Sequence, residues 1–167
     1  MKKWTMLCLL CMATIVSHAQ DTTYMVGDVL DKIMAVNEAA PKLHMKKAYL
    51  PGYSQQGADR QILYDQSGNV KKVICVSHTT DANTTDEYYI DEDTVFFMFR
   101  TQDLFQHTGR LESVPPTTRR VESRFYFSHG KLVRWSDGTK VVEVEKYPAK
   151  ETEILALYQN VLHHKAT

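Results

Sequence analysis

The chain is 167 residues long and carries 20 Lys and Arg against 20 Asp and Glu, so it has no formal net charge at neutral pH. That balance excludes the broad basic footprint that holds nucleic acid or an anionic membrane surface. Of the three cysteines, Cys8 and Cys11 fall in the first apolar stretch and Cys75 stands alone in another, which excludes a disulfide framework within the fold.

Residues 1–19 read as a secretion signal. Lys2 and Lys3 make a positive start, Met6 to Val16 is apolar but too short to span a membrane, and Ser17-His18-Ala19 fits a small-x-small cleavage pattern. Cleavage after Ala19 leaves residues 20–167 as one domain with room for a sizeable core, periplasmic or secreted. Lipid attachment at Cys8 or Cys11 is the alternative, but Leu7 and Leu10 precede them where such sites need a small residue. No later apolar stretch is long enough to be a transmembrane segment. Cys75 reads as a small buried hydrophobe rather than a reactive thiolate.

From Gly27 to Ala40, Val29, Leu30, Ile33, Met34 and Val36 recur at helical spacing, and Pro41 closes the segment. Lys42 to Leu50 can form a first strand before the Pro51-Gly52 turn, and Ser54 to Asp59 reads as loop. Three similar hairpins follow. The first, LYDQSGNVKKVICV, turns through Asp65-Gln66-Ser67-Gly68 with a left-handed Gly68 and a bulge that pairs Tyr64 with Val70. Its return strand is apolar on both faces and therefore central. Thr79 to Thr85 is a polar connection. The second hairpin, YYIDEDTVFFMF, turns at Asp91-Glu92-Asp93.

The third, RFYFSHGKLVRW, runs from Arg124 to Trp135 through a two-residue loop, His129-Gly130. A regular register from that loop pairs Phe127 with Leu132, Tyr126 with Val133, Phe125 with Arg134 and Arg124 with Trp135. Arg134 then falls among Phe125, Phe127 and Leu132, which is costly unless it pairs with an acid such as Glu143 or Glu145 or faces a site. Arg124 against Trp135 is a candidate cation–π pair. Neither face of this hairpin is cleanly polar, so cover on both sides, at least in part, is expected.

Thr101 to Val121, with Pro115-Pro116, reads as a long connection of the kind that is usually functional or disordered; Leu104, Phe105 and Leu111 suggest that part of it packs down. Lys140 to Tyr147 can add an edge strand. Glu151 to His164 is a second helix, striped with Ile154, Leu155, Leu157, Tyr158, Val161 and Leu162, with Glu151 and Glu153 in its first turn. The expected fold is α+β: an antiparallel β-meander of about six to seven strands, with an N-terminal and a C-terminal helix packed on one face.

The order helix, LYDQSGNVKKV, DEYYIDEDTVFFMF, FYFSHGKLVRW and acidic-leading helix resembles a family of small exported proteins of Bacteroidetes-type Gram-negative bacteria, over roughly residues 29–163. The resemblance implies an exported α+β domain and brings no catalytic residue with it.

The chemistry-bearing residues are dispersed. The seven histidines lack ligand spacing, and His163-His164 project about 100° apart on a helix, so no metal is expected. Asp81 to Asp86 resembles a calcium loop only in part, lacking its glycine and terminal glutamate. No nucleophile elbow, phosphate-binding loop or dinucleotide fingerprint is present, and Ser128-His129 point apart in a turn. No cofactor and no catalytic residue is assigned. What remains is aromatic and arginine content on the sheet: Tyr88, Tyr89, Phe96, Tyr126, Arg124, Arg134 and Trp135 are either core packing or a ligand-stacking face. Arg134, Trp135, Arg124 and Tyr126 are the candidate ligand-binding residues. The expected function is a small exported interaction or ligand-binding module without catalysis, its protein or small-molecule partner unspecified. A small hydrolase or isomerase-like enzyme with a pocket between sheet and helices is the alternative, and a structural envelope component a third reading.

Overall fold

The computed structural model describes residues 26–106 and 117–165. The signal sequence with its cleavage point after Ala19, and Leu111 and Pro115-Pro116, lie outside the described residues. Helix α1 spans residues 26–39 and runs into a 3-10 turn, Ala40–Lys42, where Pro41 ends it. Eight strands follow: β1 (His44–Leu50), β2 (Ala58–Tyr64), β3 (Val70–His78), β4 (Ala82–Asp91), β5 (Thr94–Gln106), β6 (Thr117–Ser128), β7 (Lys131–Asp137) and β8 (Lys140–Val141). Helix α2 (Tyr147–His163) closes the fold. Each strand pairs antiparallel with the next in chain order, so the sheet is an uninterrupted meander. No helix among the described residues is long and apolar enough to cross a membrane.

The three hairpins share one device. Beyond each turn the return strand carries one extra residue, a β-bulge: Lys71 between Tyr64↔Val70 and Leu63↔Lys72, Phe96 between Ile90↔Val95 and Tyr89↔Phe97, and Val133 between Phe127↔Leu132 and Tyr126↔Arg134. A bulge bends the strand and sharpens its right-handed twist. The turns suit that twist as well: Glu92-Asp93 and His129-Gly130 both have positive φ, as hairpin turns of the I′ kind require. In the first turn Gly68 sits at φ 85°, and Asp65 Oδ1 accepts hydrogen bonds from the Ser67 and Asn69 amides at 2.9 Å each.

The Val133 bulge corrects the regular register expected for the third hairpin. Phe127↔Leu132 stands, but Tyr126 pairs with Arg134, Phe125 with Trp135 and Arg124 with Ser136. Side-chain direction has period two along a strand, so one inserted residue exchanges the faces of everything after it. Trp135 therefore joins Phe125, with ring centroids 5.6 Å apart, and Arg134 moves to the opposite face.

The two helices occupy opposite faces of the sheet, which corrects the expectation of one shared face. Beneath α2, Ile154, Tyr158 and Val161 pack with Leu50, Ile62, Val73, Tyr88, Met98, Phe125 and Phe127. Burying each large apolar side chain of this kind contributes about 1.5–3 kcal/mol. Beneath α1, Val26, Val29, Ile33 and Val36 cover Tyr89, Phe96, Phe97 and Tyr126. Central strands apolar on both sides need two covers, and a single helical layer would leave one face wet.

Two further expectations change. The connection between the second and third hairpins is far shorter than Thr101 to Val121: β5 and β6 stay paired from Phe97↔Tyr126 out to Gln106↔Thr117. Helix α2 begins four residues earlier than Glu151, with a proline in its first turn, where a missing N–H costs nothing. Glu151 is thus not a first-turn acid. Its carboxylate instead accepts hydrogen bonds from the Leu132 amide at 2.7 Å and from Lys131 Nζ at 3.0 Å, tying α2 to β7. Those two donors hold its pKa below the ordinary glutamate value.

Candidate functional site

On the α1 face, five positions in register form one row across the sheet: Lys72, Tyr89, Phe97, Tyr126 and Arg134. The three rings are in contact, with centroids 5.6 Å apart for Tyr89–Phe97 and 5.1 Å for Phe97–Tyr126. A cation stands at each end of this aromatic row. Lys72 and Arg134 are equivalent residues in the first and third hairpins, each directly after the bulge.

Their surroundings differ. Lys72 is buried, its ammonium 4.4 Å above the Tyr89 ring, and it meets Glu87 Oε2 at 2.6 Å, Tyr89 Oη at 2.8 Å and Asn37 Oδ1 of α1 at 3.2 Å. Burial disfavours its charge, but the Glu87 and Tyr89 bonds outweigh that and raise its pKa. Arg134 is half-buried and has no hydrogen-bond or ion-pair partner among the described residues. Glu143, one of its two expected partners, is taken by Lys146 at 2.8 Å.

Arg134 instead lines a cleft of about 440 Å³ between the first turns of α1 and the two hairpin ends. Val29 of α1, the bulge residues Phe96 and Val133, and Tyr126 supply its apolar walls. Lys32 of α1 reaches across to Asp91 Oδ2 at 2.7 Å, and its ammonium lies 5.6 Å from the Phe96 ring centre. The Lys32 bond holds the Asp91 carboxyl below its usual pKa. Asp28, Glu92 and His129, all exposed, complete the rim. A cleft of this volume, with apolar walls and a comparable share of polar and charged groups around them, is of the size that takes small ligands.

The four candidate residues do not share this site. Tyr126 and Arg134 line it. Arg124 is on the same face but farther along β6, over the Phe99 ring at 5.0 Å and bonded to Glu122 at 2.8 Å. Trp135 is on the α2 face, where Lys150 lies 5.2 Å from its ring centre and its indole N–H donates to Asp137 at 2.9 Å. The Arg124–Trp135 contact does not form. Val29, Lys32 and Val133 went unassigned in the sequence, because a cleft between helix and hairpin ends depends on which face each occupies. The available signal was the cost of placing Arg134 among Phe125, Phe127 and Leu132, which pointed to a partner or a site at that residue.

The α2 face holds a second polar group. Cys75, Asp86, Arg100 and Ser123 lie in register across β3 to β6. Asp86 accepts two hydrogen bonds from Arg100, at 2.7 and 2.8 Å, and Glu153 of α2 approaches Arg100 at 3.6 Å. Beside them the Tyr88 hydroxyl is fully buried without a hydrogen-bond partner among the described residues. Burial, reinforced by the Asp86 charge, raises its pKa far out of reach, and the same two causes push the Cys75 thiol up to about 12. A thiol so disposed is no nucleophile at neutral pH. Tyr88→Phe should raise the urea midpoint with an unchanged slope, a gain of about 1 kcal/mol, because it removes a hydroxyl that lost its water and gained nothing. A lowered midpoint would mean that the hydroxyl is satisfied. Among the described residues no three His, Cys, Asp or Glu side chains gather as a metal-ligand group.

Compared with protein-family models, curated proteins and solved structures, the chain shows no significant match.

Proposed function

We propose that the protein is an exported, non-catalytic binding module, periplasmic or secreted as its first nineteen residues and the family it resembles imply, with the α1–hairpin cleft as its ligand site. The observation that carries this reading is the cleft itself: apolar walls from Val29, Phe96, Tyr126 and Val133, with one half-buried guanidinium set in them. The alternative, a small hydrolase or isomerase-like enzyme, would need an acid or base poised near the working pH. Asp91 in this cleft is tied up by Lys32 and held ionised, which suits a fixed rim better than proton transfer.

A nuclear magnetic resonance titration with small aliphatic and aromatic fragments, charged and neutral, tests the reading. Amide shifts should concentrate at Val29, Phe96, Tyr126 and Val133. Val29→Trp, which fills the cleft from the half-buried side of α1, should weaken every fragment more than tenfold while the melting temperature holds. Absence of shifts from the whole panel would end the proposal.

A further inference from the structure

The half-buried and buried cations of the described residues divide sharply. Arg60, Lys71, Lys72, Arg100, Arg124 and Lys150 each meet a carboxylate or a backbone carbonyl. Arg134 meets neither. Partial desolvation of a guanidinium without an anion or carbonyl to receive its N–H groups is unfavourable, and folded chains rarely leave it so. Its counterpart Lys72, at the same place in the first hairpin, shows how the fold satisfies a cation at that end of the aromatic row: Glu87 and Asn37 supply the oxygens. At Arg134 the corresponding space is the cleft.

We propose that this cleft takes an apolar monocarboxylate, its carboxylate on the Arg134 guanidinium and its hydrocarbon body along Val29, Phe96, Tyr126 and Val133. The inference rests on the binding reading above and deepens it. A guanidinium presents paired N–H groups that match a carboxylate in two parallel bonds. The remaining charges bear on how many negative charges the ligand carries. Lys32 is neutralised by Asp91, whereas Asp28 and Glu92 stand exposed on the rim. The mouth is therefore slightly negative overall, and it disfavours phosphates and polyacids while tolerating one carboxylate placed directly on Arg134. Affinity then comes from apolar contact plus one local charge-assisted pair, with little long-range attraction.

Calorimetric titration of the purified protein with octanoate, 1-octanol and octyl phosphate tests this. Octanoate should bind about tenfold or more tighter than octanol, and octyl phosphate no tighter than octanoate. Arg134→Gln should weaken octanoate by about tenfold to a hundredfold and leave octanol unchanged, the cost of one charge-assisted hydrogen-bonded contact. Arg134→Lys should fall between, keeping the charge and losing the paired geometry. Equal affinity of the wild-type protein for octanoate and octanol, or unchanged octanoate binding in Arg134→Gln, would overturn the ligand class and leave the binding reading standing. If Arg134→Gln does not fold, the octanoate-to-octanol ratio of the wild-type protein and the Arg134→Lys variant decide. Binding of neither compound, with no response to the fragment panel, defeats both readings at once.

Discussion

Replacing Arg100 by alanine should cost the fold about 3–5 kcal/mol, a large share of the ~5–15 kcal/mol that stabilises a domain of this size. The reason lies in what stays behind. Asp86 is 7 % exposed and has both carboxylate oxygens on the Arg100 guanidinium. Without that partner it is a charge in a poorly solvated place, beside a Tyr88 hydroxyl and a Cys75 thiol that offer little. Burial opposes the Arg100 charge, but the hydrogen bonds to Asp86 outweigh it and raise the arginine's pKa further. Urea unfolding of Arg100→Ala should show the loss as a lowered midpoint with an unchanged slope. The double variant Asp86→Leu with Arg100→Met should recover most of the loss, since an apolar pair of similar volume often matches a buried ion pair. A deficit below about 1 kcal/mol would mean that water reaches the pair.

The second large effect concerns the other end of α2. Arg60→Met should lower stability by about 2 kcal/mol and loosen the last helical turn. The Arg60 guanidinium donates to the carbonyls of Val161 at 2.7 Å, Leu162 at 3.0 Å and His164 at 3.3 Å. Those carbonyls lack helical partners and carry the negative end of the helix dipole, so a fixed cation there is favourable on both counts. Methionine keeps the packing of the arginine stem and removes the charge, which separates the two contributions. Amide hydrogen exchange should quicken over residues 158–164 while β2 itself stays protected. Unchanged exchange over residues 158–164 would show that the arginine stem, which methionine retains, and not its charge, holds the helix.

Much of this architecture is legible in the residues, and the failures are instructive. Gly68 and His129-Gly130 mark their turns because only a few residue types accept positive φ, and the flanking aromatic and β-branched runs mark the strands. The outer halves of β5 and β6 are not legible. Thr101, Gln102 and Asp103 on one strand face Glu122, Val121 and Arg120 on the other, so neither face alternates apolar with polar. Their ladder is held by backbone bonds and cross-strand pairs such as Asp103–Arg120 at 2.8 Å, which composition does not display. The Val133 bulge is invisible for a related reason, since its turn looks the same with or without an inserted residue further on. Its effect on the candidate site is decisive all the same, because it brings Arg134 onto the Tyr126 face and carries Trp135 off it. The early start of α2 did have a signal in Pro148, a residue suited to a first helical turn.

The meander order has a consequence for how the fold can be assembled. Every strand pairs with its predecessor in sequence, across turns that close small loops at little entropic cost. A chain delivered from its N-terminus can close each hairpin before the next strand appears, and no strand must be inserted between two already paired. Long-range closure is left to the docking of the two helices, and that of α2 comes last, its C-terminal carbonyls meeting an arginine about a hundred residues earlier. Until that event the hydrophobic surface over β2 to β6 on that face stays open. The slowest step in folding should therefore be the last one, and it is also the moment at which the unfinished sheet is most exposed to association with other chains.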